Sequence, residues 1–210
     1  MKTIVSLTAI IASLILIVGS LTGKLPLSPI EVFGFITGAV CVWLTVKQHI
    51  WSWPIGIANN IFFIVLFWNA RLFADMGLQV VYIVLGILGW YWWLKGGTGK
   101  TILHVSKTPA VQWLVILPVA AIATWGMRNY LMSVGDAAPF LDALTTVMSL
   151  VAQYLLSRKY LENWYVWMTA DIIYIGLYAS KALPLTAVLY AMFFVMCIMG
   201  YRAWKRSMTH

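Results

Sequence analysis

Charge is what this chain has least of. Of its 210 residues only 10% are Asp, Glu, Lys or Arg, and six are acidic, whereas ordinary soluble domains carry about 25% charged residues. That shortage excludes a solvated globular surface. Cysteine is scarce too: Cys41 and Cys197 both lie inside apolar runs, so no disulfide framework is expected. The three histidines, His49, His104 and His210, are scattered over loops and the tail, without metal-ligand spacing, and neither metal nor cofactor is expected. GGTGK at 96–100 lacks the GxxxxGK[ST] pattern and the strand before it, so it reads as part of a flexible linker over 96–108 rather than a phosphate loop.

What is present is apolar. The chain is 62% hydrophobic with a mean hydropathy of +0.89, the composition of an integral membrane protein. Its length suits about seven or eight spans of ~20 residues. A net charge of +8 in a soluble protein would point to nucleic acid. Here it points to cytoplasmic loops, where basic residues collect, and the bilayer is the expected partner instead.

The run 4–22 after Lys2 has two readings, a secretory signal or a retained first span. No small-x-small cleavage site stands in SLTGKLPLSP, which favours the retained helix. Further spans are expected at 31–47, 51–68, 74–94, 111–129, 140–157, 163–179 and 184–202. Sliding the chain by 111 residues lays 31–95 on 142–206 without a gap. Trp53 then meets Trp164, Gly89 meets Gly200, Trp93 meets Trp204, Lys47 meets Arg158, and Glu31 meets Asp142. Coincident charges and tryptophans at the ends of successive spans point to an internal repeat of three helices.

The division that follows is an N-terminal helix and linker (1–29), a first repeat (30–95), a loop and linker helix (96–135), a second repeat (136–206) and a tail (207–210). One span between two triplets gives both the same orientation, the parallel-repeat arrangement found in sugar-transporting SWEET proteins. Lys47, Lys95, Lys100, Lys107, Arg158, Lys159, Arg202, Lys205 and Arg206 fall on one side. Lys24, Arg71, Arg128 and Lys181 fall on the other, so the first side and the C-terminus are expected in the cytoplasm.

One span carries a carboxylate. Within Asn163–Tyr178, residues Trp164, Trp167, Asp171, Tyr174 and Tyr178 fall on one helical stripe. A charge at membrane depth is costly and marks a functional site by default. The repeat places Asn60 opposite Asp171, beside Asn59. Gln153 shares a face with Thr146 and Ser149, and Gln79 and Tyr82 share one with Gly86 and Gly89. Small polar residues and glycines on such faces also serve helix packing.

Glu162-Asn163-Trp164 continuing to Trp167 is a WxxW motif. Together with Leu72-Phe73-Ala74-Asp75-Met76-Gly77-Leu78-Gln79, Gly89-Trp90-Tyr91-Trp92-Trp93 and Arg158-Lys159-Tyr160-Leu161, it resembles the PnuC-type transporters of the Pnu family. The resemblance covers nearly all of 31–206. It implies a bacterial inner-membrane vitamin transporter with a three-plus-one-plus-three helical fold, taking nicotinamide riboside or, in related branches, thiamine or other vitamins. It also implies facilitated diffusion, made one-way by phosphorylation of the vitamin in the cytosol. Oligomers occur in the family, so a homo-oligomer is among the implied partners.

Nicotinamide riboside joins a pyridinium cation to a ribose. Aromatic faces such as Trp164, Trp167, Tyr174 and Trp53 suit the ring. Asp171, Gln153, Gln79, Asn60, Asn163 and Tyr82 offer partners for charge, hydroxyls and carboxamide. Belt tryptophans at span ends are the plainer reading of Trp164 and Trp167. An intramembrane enzyme would need acid, base or nucleophile groups clustered at one depth, and the sequence sets no His, Cys or second carboxylate evidently near Asp171. A non-transporting receptor is the remaining alternative.

Overall fold

Seven apolar stretches form seven α-helices in the computed structural model, which describes residues 29–69, 73–136, 138–180 and 184–208. They are α1 (Pro29–Val46), α2 (Ser52–Asn69), α3 (Phe73–Lys95), α4 (Ala110–Ser133), α5 (Pro139–Ser157), α6 (Asn163–Ser180) and α7 (Pro184–Ser207). Each lies within a few residues of an expected span. Four stretches are long and apolar enough to cross a membrane among the described residues: Met76–Lys95, Ala110–Ser133, Pro139–Ser157 and Ala187–Ser207. The run 4–22 lies outside the described residues.

Local chemistry sets the boundaries. Proline opens α1, α5 and α7, where its missing N–H is one that the first turn could not have used. α1 and α5 stop in the same way. Gln48 and Lys159, at equivalent repeat positions, take φ of 54° and 57°. Behind them, Gln48 N–H donates to Thr45 O and His49 N–H to Leu44 O, while Lys159 N–H donates to Leu156 O and Tyr160 N–H to Leu155 O, all at 2.9 Å. This left-handed cap satisfies the last carbonyls of each helix.

The helices close a ring. α1 packs on α2, α2 on α3, α3 on α5, α5 on α6, α6 on α7, and α7 returns to α1. α4 packs on α5, outside this circuit. At one end of the ring stand four tryptophans: Trp53 meets Trp93 edge-on at 5.2 Å, Trp93 meets Trp204 at 5.7 Å, and Trp204 meets Trp164 at 5.3 Å. Trp93 Nε1–H donates to Leu156 O at 3.1 Å, and Trp204 Nε1–H to Thr45 O at 3.0 Å. Acceptors and donors obey the same 111-residue offset, so each half pins its third helix to the end of the other half's first. Trp53 lies over Gly89 and Trp164 over Gly200, where a Cβ would enter the indole ring.

The loop read as flexible is tied down over much of its length. Thr98–Lys100 make a single 3-10 turn. Leu103 N–H then donates to Trp93 O at 3.1 Å, and Ser106 and Leu161 bridge the loop to the α5–α6 turn. Glu162 Oε2 accepts from both Thr108 N–H and Thr108 Oγ1, at 2.8 and 2.7 Å. Lys159 Nζ donates to Leu103 O at 2.9 Å and sits 4.5 Å from the Trp93 ring centroid.

Burial pushes the Lys159 ammonium down to about 8 from its ordinary 10.5. A lowered lysine pKa means the unfolded chain binds more protons between those values, so stability should rise with pH across that window. The midpoint of thermal unfolding should therefore gain more between pH 8 and 10 in the natural chain than in Lys159→Met. Equal slopes would show that burial does not depress this ammonium in the folded chain.

Candidate functional site

Polar groups inside a ring of apolar helices are expensive unless they meet a partner or line a cavity. Three of the expected site residues line one cavity with a fourth at its wall. Asn60 comes from α2, Tyr82 from α3 and Gln153 from α5, with Trp53 beside them. The space is about 60 Å³, enough for about two waters at ~30 Å³ each. It is far below the ~300 Å³ at which small-ligand pockets begin. Two of its lining residues bury a polar atom, Ser52 Oγ and Trp53 Nε1, with no hydrogen-bond partner among the described residues, as Trp164 Nε1 does at the repeat position of Trp53.

The repeat shows what is particular to this cavity's lining. Gly56 and Gly86 line it. At the corresponding positions of the second half stand the larger side chains of Trp167 and Cys197. Trp167 packs against the tryptophan cluster. Cys197 reaches the equivalent of Asn60: its Sγ–H donates to Asp171 Oδ2 at 3.6 Å. Asp171 is only 5% exposed, so its carboxylate faces α7 within the bundle.

Beyond these residues, towards the other ends of α2 and α6, the interior turns aromatic. Phe63 stacks on Phe67 at 5.7 Å in the first half. In the second, Tyr174, Tyr178 and Tyr190 form a stack, with Tyr174 and Tyr190 at 4.6 Å and Tyr178 and Tyr190 at 5.4 Å. Tyr82 and Tyr174 both approach the Ser149 hydroxyl, which links α3, α5 and α6 through one small side chain. Asn59 Nδ2 donates to Thr37 Oγ1 at 2.9 Å, tying α1 to α2.

The expected stripe on α6 is the helix's inward face. Trp164 and Asp171 are buried and Trp167, Tyr174 and Tyr178 half-buried, whereas Tyr165, Thr169, Ile172 and Gly176 are exposed. Inward does not mean open to a cavity. Trp164, at 2% exposure, belongs to the tryptophan cluster, and Asn163 is fully buried with Nδ2 donating to Tyr160 O. Gln79 is half-buried on α3 and does not line the cavity. Sequence reasoning passed over Ser52, Thr45, Cys41 and Gly56 as lining residues, and gave Gly86 to helix packing alone. Comparing each half's glycines with their repeat partners would have found Gly56 and Gly86. The expectation that no cysteine stands near Asp171 is overturned by Cys197, which reads in sequence as a small hydrophobe.

A ring of apolar helices around amides, phenols and a carboxylate is the build of a multi-pass membrane protein with a polar interior. Comparison with known proteins places it further. The family model described as nicotinamide mononucleotide transporter matches residues 28–206, and the chain belongs to that family. The nicotinamide riboside transporter PnuC of Escherichia coli (strain K12) is 28% identical over 211 residues, covering 88% of each chain. Its namesake from Neisseria mucosa is 29% identical over 184 residues, 81% of this chain and 70% of that one. A crystal structure of the vitamin B3 transporter PnuC superposes with a TM-score of 0.69 at 25% identity, covering 95% of this chain and 91% of the other.

Proposed function

We propose that the chain takes up nicotinamide riboside across the bacterial inner membrane by facilitated diffusion. Two like-oriented triplets, α1–α3 and α5–α7, alternate the access of a site between them, in the three-plus-one-plus-three manner of the SWEET proteins. The C-terminus and the 96–108 loop face the cytoplasm, and phosphorylation there keeps the flux inward. The observation that carries this reading is the convergence of Asn60, Tyr82 and Gln153 from three helices on one cavity, in a chain several of whose relatives are named for this cargo. The cavity's small volume fits a closed conformation of such a cycle. Asn60, Tyr82 and Gln153 contact ribose or carboxamide as the triplets part. Asp171 supplies charge from the facing side, with Trp167, Tyr174 and Gln79 along the route. Trp53, Trp164 and Asn163 hold the closed end in shape.

Titrating the purified protein with nicotinamide riboside, its 5′-phosphate, thiamine and riboflavin tests the cargo. Nicotinamide riboside should saturate. Gln153→Leu and Asn60→Leu should each weaken it about tenfold, the effect of one buried hydrogen bond left unmade, with the melting temperature little changed. Saturable thiamine binding that the riboside does not compete would sink the substrate assignment. Vesicles containing the protein but showing no riboside flux would leave a receptor.

A further inference from the structure

The larger cavity lies outside the ring. Between α4 and α5 runs an apolar groove of about 470 Å³, lined among others by Trp113, Ala120, Thr124, Leu144, Val147 and Val151. Ala120 and Ala121 leave it open on the α4 side. From Trp113 to Arg128 it extends about 22 Å at the ~1.5 Å rise of a helix, against a hydrocarbon core of ~30 Å. Its surroundings are lipid-like, since Leu114, Leu117 and Ile122 of α4 are 75%, 60% and 70% exposed.

One end of this groove carries a cation. Arg128 lines it, and the guanidinium donates to its neighbour Asn129 Oδ1 at 3.3 Å. No carboxylate pairs with it among the described residues. We infer that the groove holds one acyl chain of an anionic phospholipid, with the lipid phosphate on Arg128. Length and apolar lining suit the chain, while the planar guanidinium suits a phosphodiester that it can grip by two N–H donors. A second copy of this protein fits less well. Among its acids with described side chains, Asp136 accepts from Ala138 N–H, Glu162 from Thr108 and Asp171 from Cys197, and Asp142 is engaged as well. Each of these already has a partner within its own chain, whereas a lipid phosphate brings an uncommitted charge.

Native mass spectrometry of the detergent-purified protein tests this with phosphatidylglycerol and phosphatidylcholine of identical chains. Phosphatidylglycerol should bind about tenfold more tightly, as one charge-assisted contact allows. Arg128→Gln should erase that preference, weakening phosphatidylglycerol much more than phosphatidylcholine, while riboside flux stays as it was. Ala121→Phe, which fills the groove and leaves the arginine, should weaken both lipids together. Equal retention of the two headgroups by the natural chain would overturn the assignment. So would unchanged preference in a folded Arg128→Gln, or a copy-to-copy cross-link through Ala120→Cys with no lipid retained.

Discussion

Trp164→Ala should unfold this protein sooner without weakening its grip on the riboside. The indole is 2% exposed, edge-on to Trp204 at 5.3 Å and over Gly200. Removing it opens a cavity worth about 3–5 kcal/mol, plus the aromatic pair's own ~0.5–1.5 kcal/mol. Thermal unfolding in detergent should show the loss, and binding per folded molecule should hold. Gly200→Ala tests the same contact from the opposite direction. Its Cβ would enter the far ring of the indole, an overpacking cost of about 1–3 kcal/mol. Shortening that ring with Trp164→Phe should recover a good part of it. In the first half, Gly89→Ala and Trp53→Phe should behave as the same pair. A folded Trp164→Ala with its melting temperature intact and its affinity gone would make the indole a direct ligand, and the clasp would lose its meaning.

That pairing shows what could be read in the chain and what could not. The 111-residue offset was visible because its matches are the least interchangeable residues: two tryptophans over two glycines, and two more tryptophans at the helix ends. Element boundaries were visible because prolines and short polar breaks stand where helices must begin or end. The inward face of α6 followed from helical period alone. Period cannot say whether an inward side chain meets space or a neighbouring helix, which is why Trp164 and Gln153 looked alike as candidates. Nor could composition reveal the fastening of 96–108, since Lys159 and Glu162 act across more than fifty residues of sequence on Leu103 and Thr108. Two of the residues that line the small cavity, Gly56 and Gly86, differ from their counterparts Trp167 and Cys197, and a search for likeness passes over differences.

If the proposed site is right, the difference between the halves with the largest effect on cargo is Asn60 against Asp171. Both occupy the middle of the second helix of their triplet, and only one is ionisable. Asp171→Asn should therefore cost more for a cationic cargo than for a neutral one. Two opposite charges ~4 Å apart interact by about 4 kcal/mol at an effective dielectric of ~20, and only part of that survives desolvation. A loss of about ten- to hundredfold for the pyridinium riboside is the expected share. The uncharged dihydropyridine form of the same molecule should lose much less, because Asn keeps an acceptor for Cys197 Sγ–H and for a ribose hydroxyl. Asp171→Leu removes that acceptor too and should weaken both forms. Comparing the two titrations separates attraction from architecture: equal losses in Asp171→Asn would show that the carboxylate serves hydrogen bonding or folding, and the cation preference would have to arise from the aromatic faces alone.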